Sequence, residues 1–297
     1  MIPFDEDRAR ALLTRACTAA GLPAPVDARL LALGENAVFD LGDPAVVAKV
    51  GRGPELDGRA RRELAVARWL AEQGVPVVRP YDTAAPGPQL ADGHPVTFWH
   101  RLAPAVRQAQ PADLAPLLRA LHLLPPPPFP LGGRDLLAPV ERWLASAEGR
   151  VDPADVAFLR ERRDAFAAEL PRLTPHLPPG IIHGDALPRN VHVGAEGPVL
   201  LDLEFVANDL REHDLVVLAL SHDRYGVPAA DYLAFTAGYG WDVRDWPGFA
   251  VLRGARETAS ASWVAQQAAG NPAALAEFGR RVASLRDGAT AVRWYPF

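Results

Sequence analysis

The 297-residue chain has little of several things that would announce a function class. Its one cysteine, Cys17, can form no internal disulfide and no zinc-binding cluster. Set among helical apolar residues, Cys17 reads as a core residue. No stretch approaches the roughly 18 apolar residues of a membrane-crossing helix. The first residues, Met1 to Asp7, lack the positive start and apolar run of a secretory signal. These absences predict a cytoplasmic protein with no membrane partner. The net charge of −5 gives no basic face for nucleic acid and mildly favours a cationic or neutral small substrate. Gly-Lys-Ser/Thr is absent, which excludes a Walker-type phosphate loop. Gly-x-Ser-x-Gly and His-Glu-x-x-His are absent too, which removes the signatures of a common serine hydrolase and a zinc protease.

The scarcest charged residue is lysine. Of 31 cationic residues only Lys49 is lysine, in a chain otherwise rich in arginine, alanine and proline. Arginine replaces lysine readily at neutral surface sites, so Lys49 marks a place where a compact point charge is wanted or has survived by chance.

What is present orders itself as α+β. Residues 5–20 predict a helix ended by Gly21-Leu22-Pro23. Strand-like runs follow at Arg29–Leu33, Ala37–Leu41 and Ala45–Val50, parted by turns at Gly34-Glu35-Asn36 and Gly42-Asp43-Pro44. A helix over Gly58–Gln73 carries Glu63 on its apolar stripe of Ala60, Leu64, Ala67, Leu70 and Ala71. A carboxylate facing a core needs a partner, and the only lysine lies one element upstream. Further strands are expected near Val77–Tyr81 and Val96–Trp99, and helices from Ala112, over about 136–147, over 153–170 and beyond Asp209.

The densest chemistry lies in Ile181-Ile182-His183-Gly184-Asp185-Ala186-Leu187-Pro188-Arg189-Asn190-Val191-His192-Val193. The turn Gly194–Gly197 follows, and then Pro198–Phe205 reads as a strand, so the two runs predict a hairpin. A turn centred between Ala195 and Glu196 sets Asn190 roughly opposite Asp202, with Cβ atoms about 5 Å apart. A strand would put Asp202 and Glu204 on one face. Amide and carboxylate oxygens in such a group suit Mg²⁺, a hard ion that also binds phosphates. Asp185 precedes Asn190 by five positions, close enough to accept a proton or orient a hydroxyl beside a metal.

This stretch resembles the catalytic loop of the aminoglycoside phosphotransferase and choline kinase superfamily: His-Gly-Asp, four residues, then Asn. Asp202-Leu203-Glu204 resembles its metal-binding segment. The resemblance implies a protein-kinase-like bilobal fold. Residues 1–99 would form a small antiparallel-sheet lobe that binds nucleotide, and residues 100–297 a larger, mainly helical lobe for catalysis and substrate. It implies that Asp185 is the catalytic base, that Asn190 and Asp202 hold Mg²⁺ and that Glu204 assists through a water. Lys49 and Glu63 resemble the kinase pair that positions the α/β-phosphates. Gly34 and Asn36 belong to a short phosphate-covering loop, and Phe98–Leu102, with Trp99 and His100, to the hinge that meets the nucleobase. Asp214 resembles a residue that braces the catalytic loop, His183 one that orients it, and His192 is read as a strand residue. Leu187 and Arg189 stand where many relatives have histidine and glycine; Arg189 touches phosphate or points into solvent.

The implied reaction moves the γ-phosphate of ATP or GTP to a hydroxyl of a small substrate, an aminoglycoside or other antibiotic. An alternative is a metabolic or biosynthetic kinase acting on a choline-, sugar-, homoserine- or nucleoside-like compound. The acceptor helices hold Asp209, Asp223, Asp231, Asp242, Asp245 and Glu257, suited to ammonium groups or to solvent. They also hold Tyr225, Tyr239, Trp241, Trp246 and Trp263, suited to rings, quaternary cations or core packing. Three rivals differ in kind. A metal-dependent hydrolase could draw on His183, Asp185, His192, Asp202, His213 and Asp214, but would leave Lys49 and Glu63 unexplained. A binding-only pseudokinase would not need the full set of Lys49, Glu63, Asp185, Asn190 and Asp202. A protein kinase would need a peptide-docking segment.

Overall fold

Asp5 starts the first helix by accepting the Arg8 amide at 2.9 Å, and Gly21, left-handed at φ 74°, ends it. The computed structural model describes residues 4–34, 36–268 and 270–295. Helix α1 (Glu6–Ala20) buries Ala9, Leu12, Leu13, Ala16, Cys17 and Ala20. They pack on one face of an antiparallel sheet of β1 (Arg29–Leu33), β2 (Asn36–Asp40), β3 (Val46–Gly51), β4 (Gln89–Ala91) and β5 (His94–His100). The strand order is β1-β2-β3-β5-β4. Ala48 and Val50 face α1, so alternation turns Lys49 to the other face, opposite Thr97 of β5. Helix α2 (Asp57–Glu72) brings a second element to that strand.

The chain divides into two compact units, one of residues 1–109 with 189–206, the other of 110–188 with 207–297. The returning segment of the first unit is the hairpin of β7 (Val191–Gly194) and β8 (Gly197–Leu200). Leu200 also donates to Pro76 and accepts from Val78, each at 2.9 Å.

The expected hairpin forms about the expected centre, with Val191 facing Leu200 and Gly194 facing Gly197. Three expectations are corrected. The strand over Pro198–Phe205 stops at Leu200, because Asp202 is left-handed at φ 55° and Leu203–Phe205 is a 3₁₀ turn. Asp202 and Glu204 therefore share no strand face, and Asn190 is matched by Leu201, whose amide donates to its carbonyl at 2.9 Å. Val77–Tyr81 forms only single bridges, at Val77 to Leu200 and Pro80 to Trp99. The short strand β4 went unread, although Asp92-Gly93, at φ 48° and 81°, is a two-residue hairpin signal.

The second unit is mainly helical: α3 (Pro111–His122), α4 (Val140–Ala147), α5 (Pro153–Glu169), α6 (Glu212–Tyr225), α7 (Ala229–Tyr239), α8 (Phe249–Gln267) and α9 (Pro272–Arg286). A ribbon of β6 (Gly180–Ile182) and β9 (Ala207–Asp209) completes it. Helix α8 packs against α4, α5, α6 and α9. Gly254 permits this, since a Cβ there would lie 2.2 Å from the Phe166 ring. Helix α4 begins later than residue 136, because Asp135 takes the Leu137 and Ala138 amides in a turn. Among the described residues no helix is long and apolar enough to cross a membrane.

Candidate functional site

In the first unit Lys49 meets the partner its burial demands. Its Nζ lies 3.1 Å from both Glu63 carboxylate oxygens. Glu204 stands 3.3 Å away and Asp202 3.6 Å away. Glu63 and Glu204 are buried, whereas the Asp202 side chain keeps 39% of its surface exposed. Burial works against the ammonium, yet Glu63, Glu204 and Asp202 together hold Lys49 well above the ordinary lysine range. Burial also lifts Glu63 above the usual carboxylate range, against the pull of Lys49 and with the help of Glu204. The upward shifts disagree if the pair is taken alone, since one favours its charged member and the other does not. Three carboxylates about one ammonium explain both.

Two arginines of α2 complete this group. Arg59 lies 3.6 Å from Glu204, and Arg62 donates to the Glu204 carbonyl at 3.0 Å. Arg59 also stacks on Phe205 with 5.5 Å to the ring centre. From the sequence Arg62 reads as a charge away from the apolar stripe, and Arg59 was passed over, although it sits one helical turn before Glu63. The cleft here is lined by Asn36, Lys49, Arg59, Glu63, Thr97 and Glu204. Asn36 thus reaches the Lys49 cleft, while Gly34 donates to the Asn36 carbonyl beside it at 2.9 Å; Glu35 lies outside the described residues. Trp99 and His100 are not among the residues of that lining. Trp99 is buried opposite Val47, its indole donating to Thr97 at 2.8 Å. His100 has an exposed ring, and its amide donates to Arg79 at 2.9 Å.

Asn190 is buried at the open end of the hairpin, its carbonyl accepting from Leu201, the residue before the half-buried, left-handed Asp202. The Asn190 amide and the Asp202 carboxylate are oxygen donors of the kind a hard divalent cation such as Mg²⁺ takes. Glu204 is already engaged by Lys49 and Arg59, which favours a bracing part for it over a ligand's part.

In the second unit, strand β6 delivers His183, Gly184 and Asp185. Gly184 is left-handed at φ 82°, which turns the chain sharply. Asp214, fully buried on α6, accepts from the His183 amide at 2.7 Å, the Gly184 amide at 2.8 Å and His122 Nε2 at 3.1 Å. Burial pushes its carboxyl up, but the His122 bond, the nearby histidines and the His183 amide outweigh it and hold the group below the usual range. Asp214 therefore braces the loop, and His183 is wholly buried within it. The Asp185 side chain is 22% exposed and lies 3.9 Å from Arg256 of α8. Arg256 also donates to the Gly184 carbonyl at 3.3 Å. This arginine was missed, flanked as it is by other charges in the stretch Arg253-Gly254-Ala255-Arg256-Glu257.

Nothing in either unit supports the hydrolase reading. His192 bonds to the Ala103 carbonyl at 2.8 Å, whereas His183 and Asp214 belong to the loop brace. Among the described residues no group of three or more His, Cys, Asp or Glu side chains is arranged to hold a metal ion. Several acids of the acceptor region are internally paired: Asp223 with Arg253, Asp242 with Arg244 and Tyr232, Glu257 with Arg224. Asp209 caps the Arg134 and Leu210 amides. Trp246 is buried, and Trp241 stacks on His176.

A family model described as the phosphotransferase enzyme family matches residues 27–255. Among solved structures, an amicoumacin kinase in complex with AMP-PNP, Ca²⁺ and Ami superposes with a TM-score of 0.69 at 14% identity, covering 97% of this chain and 95% of that one. A choline/ethanolamine kinase family protein from Mesorhizobium loti gives 0.60 at 21% identity, covering 95% and 99%. An AMP-bound spectinomycin phosphotransferase gives 0.63 at 16% identity, covering 93% and 95%. No curated protein matches the chain in sequence. At these identities the structural likeness shows the fold, which is protein-kinase-like, as the sequence resemblance implies.

Proposed function

Because the chain belongs to the phosphotransferase enzyme family, a family of small-molecule kinases, we propose that it transfers the γ-phosphate of ATP or GTP to a hydroxyl of a small acceptor. The observation that carries this reading is Lys49, the only lysine, held by Glu63 in a cleft that also contains Asn36 and Glu204. In phosphoryl transfer nearly all catalysis is positioning and charge neutralisation, and a fixed ammonium supplies both. Lys49 grips the inner phosphates, Glu63 and Glu204 keep it aimed, and Gly34 and Asn36 flank the nucleotide. Backbone groups of the Trp99–His100 segment meet the nucleobase. Asn190 and Asp202 would hold Mg²⁺, which when bound neutralises phosphate charge. Asp185 orients the acceptor hydroxyl and takes its proton.

The acceptor is small. The pairing of Asp223, Asp242 and Glu257 with arginines leaves fewer carboxylates for a polycation, which favours a neutral or singly charged acceptor over a many-amine aminoglycoside. A nucleotide-consumption screen, run with ATP and with GTP, would cover kanamycin, spectinomycin, choline, homoserine, a nucleoside and a hexose. Consumption that depends on one acceptor class and on Asp185 is the expected result. Acceptor-independent behaviour unchanged in Asp185→Asn would overturn the reading.

A further inference from the structure

Arg256 is a buried cation on α8, sharing its face with Leu252, Arg253 and Ala259. Such a charge persists in a core only where it is used. Two neighbouring arginines are taken up by acids: Arg224 by Glu257 at 2.7 Å, and Arg253 by Asp223 at 3.0 Å and Glu257 at 3.3 Å. Arg256 points elsewhere. It meets the Gly184 carbonyl at 3.3 Å and the Asp185 carboxylate at 3.9 Å. Its charge is also felt by His213, whose imidazole is driven down to about 4 by burial first and by Arg256 second.

Gly184 is thereby gripped from both sides. Its amide is held by Asp214 of α6 at 2.8 Å and its carbonyl by Arg256 of α8. Because Gly184 is left-handed, rotation of these two peptide planes would swing the side chain that follows. The two contacts of Arg256 differ in kind. The one to the carbonyl is of hydrogen-bond length, while that to the carboxylate is longer and acts by charge. A longer contact draws the carboxylate toward α8 without spending an oxygen lone pair on the guanidinium.

We propose that Arg256 is a positioning residue for phosphoryl transfer, fixing Gly184 and drawing the Asp185 carboxylate to where it meets the acceptor hydroxyl. This rests on the reading of Asp185 as the base. Arg256 and Asp185 act as one unit: the arginine touches neither nucleotide nor acceptor and works through the loop.

The test compares Arg256→Gln and Arg256→Lys with wild type and with Asp185→Asn. ATP consumption is followed with kanamycin, spectinomycin and choline as acceptors, and amide hydrogen exchange is followed over residues 180–190. In Arg256→Gln, kcat should fall about 10- to 100-fold with KM for ATP within about twofold, because misplacing a reacting group costs rate rather than nucleotide binding. Exchange at Ala186 and Leu187 should rise while that of α2 stays constant. Arg256→Lys should recover a large part of kcat and of the protection. A glutamine variant with wild-type kcat, a parallel loss in kcat and nucleotide affinity, or a lysine variant as poor as glutamine would overturn the proposal. Should Asp185→Asn turn over normally, the base assignment fails instead. If no acceptor supports turnover, unchanged exchange in Arg256→Gln overturns the grip on Gly184 directly, and raised exchange upholds it.

Discussion

Lys49 Nζ stands at the same distance, 3.1 Å, from both oxygens of Glu63, and 3.3 Å from one oxygen of Glu204. A tetrahedral ammonium can serve carboxylates on several sides; a planar guanidinium presents its donors in one plane and is wider. Lys49→Arg is therefore expected to raise KM for nucleotide by about tenfold with the fold intact. Glu63→Gln should move KM in the same direction. Initial rates at subsaturating nucleotide decide the matter, and wild-type kinetics for Lys49→Arg would show that this lysine is a chance survivor.

Glu204 separates two roles by its response to substitution. As the acid between Lys49 and Arg59 it should, when changed to Gln, lower stability by about 1–3 kcal/mol, since two cations lose a buried partner. Urea titration measures this. If Glu204 is chiefly a metal ligand, stability would hold while the Mg²⁺ concentration for half-maximal turnover rises.

Asp214→Asn removes a charge that takes two backbone amides and His122. The expected cost is about 3 kcal/mol, because buried donors lose their anion. Turnover should fall further than nucleotide binding, as the Asp185 loop loses its brace. An intact midpoint in urea would contradict the structural assignment.

His213 gives the second unit a pH dependence. Its imidazole titrates near 4 in the fold, held there by burial and Arg256 against the opposing charges of Asp209 and Asp214, while an ordinary histidine titrates at 6.5. The unfolded chain thus binds more protons between these values, so this contribution is fully present above 6.5 and is lost as pH falls toward 4. In His213→Gln the decline in urea midpoint over that window should flatten. A decline as steep as in wild type would assign it to other groups.

Trp294 is wholly buried, with Arg224 and Arg281 over its ring at 4.6 and 4.9 Å and Ser284 bonded to its indole at 3.0 Å. Trp294→Ala should cost about 3–5 kcal/mol through the cavity and the lost cation–π contacts. KM for nucleotide should not change. A loss of nucleotide affinity equal to the loss of stability would run against this assignment.

What could be read from the sequence was whatever broke a pattern. Glu63 on an apolar stripe announced a partner, and the structure supplies Lys49. The hairpin centre followed from a glycine turn, and its register holds at Val191 and Leu200. The left-handed backbone of Asp202 was not legible, because aspartate, though enriched in that region, rarely adopts it, and the apolar run before it read as a strand. Gly34 was read as a turn residue and takes no positive φ, whereas Gly184, read only as part of the His-Gly-Asp loop, does. Arg256 was not legible by the rule applied to Glu63, because Arg253 shares its face and Glu257 follows it. Arg59 was hidden because its partner Glu204 lies far along the chain.

The first unit is written in two pieces, and this bears on the order of its making. Lys49 and Glu204 are 155 positions apart, and the bonds of Pro76 and Val78 to Leu200 are nearly as distant in sequence. A ribosome has released the whole sheet and α2 long before the hairpin exists, so the nascent segment holds an ammonium and a glutamate that lack their third member. A fragment cut after Ala109 would carry that unfinished cluster permanently, and two proteins joined end to end could not exchange this unit as a cassette. Recombination within the family would have to carry both stretches together, or rebuild the lysine's surroundings from new residues.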